Sequence, residues 1–153
     1  MTKNLDIEGL RSIANNYDLF YIDLWGVVHN GINLHEQAII VLKELVKINK
    51  NFILLTNAPR PNRTVKVFLE KMGMEEEIRN QVFTSGEAAL NYLKKFYLSK
   101  IFYHIGPPRD FDLFHEFKKN KSKYLSESDY LLCTGLFDDH DKDLNYYKDL
   151  LEK

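Results

Sequence analysis

The sequence predicts an α/β protein built on a largely parallel, Rossmann-like sheet. Three observations predict it. Short apolar runs of strand length recur at residues 19–22, 52–55, 82–83, 101–105 and 130–133, as in strands buried on both faces. Between them lie longer stretches whose apolar residues repeat at helical spacing. Strands alternating with helices imply a parallel sheet with helical crossovers. The first two runs also end on polar residues, Asp23 and Thr56-Asn57, at the strand ends where such sheets bind ligands.

The elements follow in order. Residues 19–22 form an apolar run that stops at Asp23. After Gly26, residues 27–31 read as an extended piece closed by an Asn-Gly turn. A helix is predicted over about residues 34–48, with Ala38, Val41, Leu42, Leu45 and Ile48 on one face. Residues 52–55 form the second strand. Pro59 and Pro61 prevent its continuation, and Pro61 is placed to open a helix. Val65, Phe68, Leu69 and Met72 give that helix its buried stripe, and Gly73 supplies a C-terminal stop. After the short run at 82–83, Thr84 and Glu87 have capping-box spacing ahead of a helix over 88–93. The run at 101–105 ends on Gly106-Pro107-Pro108, a turn or helix start. Phe111, Phe114 and Phe117 predict a helical stripe, and residues 118–123 a charged surface loop. A final helix is expected over about 143–151, with Leu144, Tyr147, Leu150 and Leu151 on one side.

Composition excludes several function classes. The chain has 153 residues, enough for one ordinary domain or part of a larger one. Its 21 basic and 22 acidic residues leave a formal net charge of -1, which argues against a dedicated nucleic-acid binder. One cysteine, Cys133, excludes an internal disulfide framework and a cysteine-rich zinc site. No apolar run is long enough for a leader segment or a bilayer span. The expectation is a soluble, cytoplasmic protein without membrane partners.

Chemistry is expected at Asp23 and Thr56. Adjacent parallel strands would bring them close together. A carboxylate there can attack phosphorus as a nucleophile or bind a divalent cation. A threonine hydroxyl and nearby backbone N–H groups can hold phosphoryl oxygens. Gly26 would let the backbone turn sharply beside the site. Alone, Asp23 is more readily read as a residue capping a turn after its strand.

The combined pattern is more specific. FYIDLWGVVHNG, then a helix, then FILLTNAPRP resembles the opening of the haloacid dehalogenase-like hydrolase superfamily. The likeness is to its capped subclass IIA branch, related to nitrophenyl-phosphatases and nucleotide phosphatases, in members with an Asp-Leu-Trp-Gly-Val first motif. It continues through VFTSGEAALNYL, IFYHIG and DYLLCTGLFDD. The resemblance implies that Asp23 is an aspartyl nucleophile and Thr56 the hydroxyl that orients the phosphoryl group. Gly26, Asn57 and Arg60 would lie at the substrate, a small phosphorylated metabolite, under a flap formed by residues 26–31. Mg²⁺ would be held by Asp23 and the backbone carbonyl of Trp25, together with a distal acidic motif. Residues 1–97 would be the N-terminal part of the hydrolase core, and residues 98–153 the beginning of an α/β cap of the C2 type.

Two departures from the family pattern stand out. Most phosphatases of this superfamily carry an Asp two residues after the nucleophile as general acid and base. Here that residue is Trp25, which can do neither. General acid–base help contributes about 10²–10⁴-fold, so alkyl phosphates, whose leaving alkoxides need a proton, are expected to react poorly, and aryl or acyl phosphates to suffer less. The family's third-motif Lys and fourth-motif acidic residues are also missing, so the chain is expected to be a shortened version of a longer hydrolase. The metal site would then be incomplete. A complementary chain or a homo-oligomer would cover the open edge of the nucleophile strand, and a catalytically inactive remnant or interaction module is the alternative reading. Among other residues, His29 and His35 are expected to be solvated and Cys133 to be a buried, inert thiol. Trp25 either stacks on a substrate or packs under the flap. Arg60 either steers a phosphate or is an ordinary surface arginine.

Overall fold

The computed structural model describes residues 9–140 and 143–152. The expectation that the N-terminus lacks an apolar leader falls partly outside that range. Two compact units are present. One comprises the described part of Met1–Asn57 together with Asn62–Thr84; the other comprises Ala58–Pro61 and the described residues from Ser85 onward.

The first unit holds strands β1 (Leu19–Asp23), β2 (Asn51–Thr56) and β3 (Val82–Thr84), with helices α1 (Glu36–Lys47), α2 (Asn62–Lys71) and α3 (Glu76–Arg79). The strands are parallel in the order β1-β2-β3, so β1 is an edge strand. The register pairs Ile22 with Leu54 and Leu54 with Val82. Phe52, Leu54 and Val82 are buried, while Tyr21, Leu55 and Phe83 on the alternate positions are exposed. That alternation is the period of a pleated strand with one covered face. Helix α1 packs on β2, and α2 on β3.

The helix ends obey local chemistry. Helix α1 carries Glu36 in its first turn and Lys47 in its last, matching the sign of the macrodipole at each end. It stops where Asn49 adopts a φ of 53°, a left-handed conformation that Asn tolerates better than most residues. Gly73 ends α2 as predicted, with φ 85°. The N–H of Gly73 donates to Glu70 O at 2.8 Å and that of Met74 to Leu69 O at 3.0 Å, satisfying orphan carbonyls of the last turn. Leu42 and Leu45 of α1 are buried, but Val41 and Ile48, expected beside them, are exposed. Phe68 of α2 is likewise exposed. The short helix α3 has no counterpart in the sequence reading. Arg79 secures it to the end of α2 through Glu70 Oε1 at 2.9 Å and Met74 O at 3.1 Å.

The second unit contains helix α4 (Ser85–Phe96), parallel strands β4 (Phe102–Ile105) and β5 (Tyr130–Cys133), and helix α5 (Leu144–Leu151). Its core gathers Leu90, Leu93, Phe102, Leu113, Phe114, Phe117 and Leu132. Phe102 is fully buried and makes edge-on contacts with Phe114 and Phe117 at centroid distances of 5.3 and 5.8 Å. Helix α4 starts directly after β3, and its second residue is Gly86. A Cβ there would lie 2.6 Å from the carbonyl carbon of Arg60 and closer still to Arg60 N and O. The N–H of Gly86 donates to Ala58 O at 3.1 Å and Ser85 Oγ to the same carbonyl at 3.0 Å. Glycine is therefore what lets the 58–61 segment lie against this helix.

Three expectations are corrected in this unit. Phe111 and Phe117 lie on two successive 3₁₀ helices, Pro108–Leu113 and His115–Asn120, and Phe114 is the bend between them, so the expected single helical stripe is broken by a kink. Cys133 is exposed, because the alternation along β5 sends Leu132 inward and Cys133 outward. Helix α5 is present as expected and is capped by Asp143, whose Oδ1 accepts from Tyr146 N at 3.0 Å, but its apolar side is not buried and Leu144 and Leu151 are exposed.

Candidate functional site

Asp23 closes β1 at the carboxyl end of the sheet and is exposed. Its Oδ1 accepts a hydrogen bond from Leu24 N at 2.8 Å, which holds the carboxylate at the strand end. Leu24 and Val28 are fully buried anchors on either side of a tight turn. Within that turn the N–H groups of Val28 and His29 both donate to Leu24 O, at 2.9 and 3.2 Å. Gly26 N donates to His29 O at 2.8 Å. Gly26 has φ 78°, the conformation the sequence assigned to it and one that glycine adopts without steric cost.

The residues after the turn form a knotted flap in place of the extended piece that was expected. Asn30 Oδ1 accepts from Ile32 N and Asn33 N at 2.9 and 2.8 Å, and His35 N donates to Val28 O at 2.8 Å. Asparagine competes with ladder bonding in this way, turning its own backbone. His29 is the chief correction at the site, since it is buried rather than solvated. Its Nδ1 accepts from Gly31 N at 3.0 Å. Its ring lies edge-on to Trp25 and Phe68, with centroids 5.5 and 5.7 Å away. Burial, reinforced by His35, pushes its pKa below the usual histidine range despite the opposing pull of Asp23. A neutral imidazole is what a ring nitrogen accepting an N–H bond requires. The signal available in sequence was the HxG spacing of His29 and Gly31 within a turn.

Trp25 is held against this flap but is not covered by it. Its indole is 63% exposed, and a Cβ on Gly31 would sit 2.6 Å from its Cη2. The side chain therefore crosses Gly31 at van der Waals range, two residues from Asp23. One part of the ring packs on the flap, as one of the two expectations had it, and much of it faces solvent.

Thr56 ends β2 and is buried. The register pairs Asp23 with Leu55 and Thr56 with Thr84, so Asp23 and Thr56 lie one residue apart on adjacent strands at one edge. Strand alternation puts Asp23 in line with exposed Leu55 and Phe83, and Thr56 in line with buried Thr84. Asn57 follows, exposed. Asn62, which the sequence reading did not single out, fixes the same edge by accepting from Thr84 N through Oδ1 at 2.9 Å. Arg60 belongs to the second unit, where its Nε stands 3.8 Å from Oδ1 of the buried Asp110. Asp23 and the Trp25 carbonyl are hard oxygen donors suited to Mg²⁺, which takes few protein ligands and completes its shell with water and phosphate. Their chemistry fits the ion, although no group of three or more His, Cys, Asp or Glu residues arranged to hold a metal occurs among the described residues. No helix among them is long and apolar enough to cross a membrane.

Comparison with known proteins gives the family and the fold. The family model described as haloacid dehalogenase-like hydrolase matches residues 20–119. A crystal structure of a hydrolase of the haloacid dehalogenase-like family from Brucella suis is 29% identical, with a TM-score of 0.77, over 94% of this chain and 52% of that one. The 4-nitrophenylphosphatase from Thermotoga maritima is 22% identical, TM-score 0.63, over 89% of this chain and 49% of its own. The glycerol phosphate phosphatase from Mycobacterium tuberculosis, solved in complex with calcium, is 21% identical, TM-score 0.56, over 80% and 36%. The last two likenesses show the fold. The chain spans about half the length of the first of these structures or less of the others. No curated protein matches the sequence. The match over residues 20–119, which begins in β1 and includes Asp23, Thr56 and the whole flap, places the chain in the haloacid dehalogenase-like hydrolase family.

Proposed function

We propose that the chain carries the nucleophile half of a subclass IIA phosphohydrolase acting on a small phosphorylated metabolite in the cytoplasm. The observation that carries this reading is an exposed carboxylate at the carboxyl end of β1, inside the family match and beside the end of β2. Asp23 attacks phosphorus, the P–O bond to the leaving group breaks, and a phospho-aspartate forms that water later hydrolyses. Thr56 and Asn57, with the backbone around Gly26, orient the phosphoryl oxygens, and Arg60 draws the anion toward them. Mg²⁺, held by Asp23 and the Trp25 carbonyl, would supply charge compensation at the phosphoryl oxygens. Residues 1–97 belong to the hydrolase core and 98–153 to the cap in this reading. The exposed edge strand β1 is where a complementary chain or a second copy would add.

Trp25 narrows the substrate. It offers no proton to a departing alkoxide, so aryl and acyl phosphates are favoured, and its exposed indole gives an aryl group a surface to stack on. The test is hydrolysis of an aryl phosphate by the purified chain with Mg²⁺, beside Asp23→Asn. Turnover that needs both the metal and Asp23 supports the proposal. Folded protein with no turnover above that control refutes autonomous catalysis. It would favour a binding module without turnover, a reading motivated by Trp25 and by the sparse acidic ligands among the described residues.

A further inference from the structure

The unit that holds β4 and β5 has a concave region of its own. Two cavities of about 520 and 440 Å³ meet there and share His104, Lys121 and Phe137. Both are of the size that small-molecule sites occupy. They open beside the carboxyl ends of two parallel strands, where such sheets bind ligands. One cavity is edged by Lys118, Lys121 and Lys123, the other by Phe111, Phe114 and the turn at Gly106.

The floor is polar. His104 is buried on β4, and its Nε2 lies 2.9 Å from Thr134 Oγ1. Thr134 N is bonded to Ile105 O at 2.9 Å. A Cβ on Gly106 would sit 2.9 Å from His104 Nε2 and closer still to the threonine hydroxyl, so the backbone lies directly on this pair. The lysine edge is equally well anchored. Lys121 bridges to Phe102, Ser122 N donates to Phe102 O at 2.8 Å, and Ser122 is buried.

The charges on that edge are unspent. Lys94, Lys100 and Lys148 of the same unit are paired with carboxylates. Lys118, Lys121 and Lys123 form no ion pair among the described residues; Lys121 lies instead over the Phe114 ring, 5.4 Å from its centroid. On the opposite side, Asp138 is engaged by Arg109 at 2.6 Å. Three cations with no ion-pair partner among the described residues, at the mouth of a cavity, lower the cost of bringing in an anion, and they face Asp138 and Asp139 on the lining of the adjoining cavity. The aromatic walls suit a flat apolar body.

We propose that this double cavity binds a small phosphate ester with a planar ring, the phosphate lying among Lys118, Lys121 and Lys123 and the ring against Phe111 and Phe137. The site does not depend on chemistry at Asp23, and its test is chosen to keep the two apart. Backbone amide shifts of the full chain carrying Asp23→Asn are followed by NMR during titration with phenyl phosphate, inorganic phosphate and phenol. The expected result is saturable shifts at residues 104–106, 118–123 and 134–139 with phenyl phosphate, weaker ones with inorganic phosphate, and weakest with phenol. Lys121→Gln, an exposed position, should weaken phosphate binding by about tenfold, the scale of one charged hydrogen bond. Phe111→Ala should weaken phenyl phosphate alone. Shifts confined to residues 23–31 and 56–57, affinity indifferent to Lys121→Gln, or phenol binding as tightly as phenyl phosphate would each overturn the proposal.

Discussion

Replacing Gly86 by alanine sets two physical effects of opposite sign against each other. Gly86 is the second residue of α4, and helix propensity alone favours alanine there by up to about 1 kcal/mol. The close approach of Arg60 opposes this. The added Cβ would stand 2.6 Å from the Arg60 carbonyl carbon and nearer to its N and O, so one backbone must retreat by about 1 Å to restore ordinary contact. Overpacking of that kind costs about 1–3 kcal/mol. The retreat also stretches the 3.1 Å bond from Gly86 N to Ala58 O, worth about 1 kcal/mol. The sum is a net loss of about 1–3 kcal/mol. In urea melts followed by far-ultraviolet circular dichroism, with a slope of about 1–3 kcal/mol/M, the midpoint should fall by about 1 M with the slope unchanged. A midpoint equal to or above that of the parent protein would refute the claim that backbone proximity, rather than conformational freedom, selects glycine here.

Phe102→Ala should cost about 3–5 kcal/mol in the same melts, since it empties the fully buried centre of the second unit's core. His104 predicts an acid sensitivity. Burial, with Lys121 adding to it, lowers its pKa to about 4. The unfolded chain therefore takes up a proton below about 6.5 that the folded one refuses until about 4. Stability is complete above pH 6.5 and declines as pH falls toward 4; a His104→Gln protein whose stability falls just as steeply over that window would contradict this. Trp25→Asp restores a proton donor two residues after Asp23. If the chain turns over aryl phosphates, this change should raise its rate on an alkyl phosphate by about 10²-fold or more, measured as released phosphate. An unchanged ratio of alkyl to aryl turnover would count against Asp23 as the nucleophile.

Much of the fold was legible from local chemistry. The strand runs, the stop at Gly73 and the turn at Gly26 follow from apolar periodicity and left-handed backbone preference. None of these needs a distant partner. The positions of Asp23 and Thr56 at the ends of neighbouring parallel strands were legible for the same reason, but the register, which puts Asp23 in line with exposed Leu55 and Thr56 in line with buried Thr84, was not.

What the sequence could not settle was which side of each element meets another. His29 looked like a solvated flap residue and is buried against Trp25 and Phe68, because the flap folds back on itself around Asn30. Cys133 lay in an apolar run that implied burial and faces outward, because only one side of β5 is covered. The three phenylalanines at 111, 114 and 117 had the spacing of one helical stripe, but the chain kinks at Phe114, and Phe114 and Phe117 pack on Phe102 while Phe111 packs on Phe114. Asp23, Thr56 and the turn between the strands were written in the chain. The closeness of the Arg60 backbone to Gly86, and the meeting of His104, Thr134 and an unpaired lysine edge at one cavity, came only from tertiary structure, since each joins residues more than ten positions apart that no local preference links.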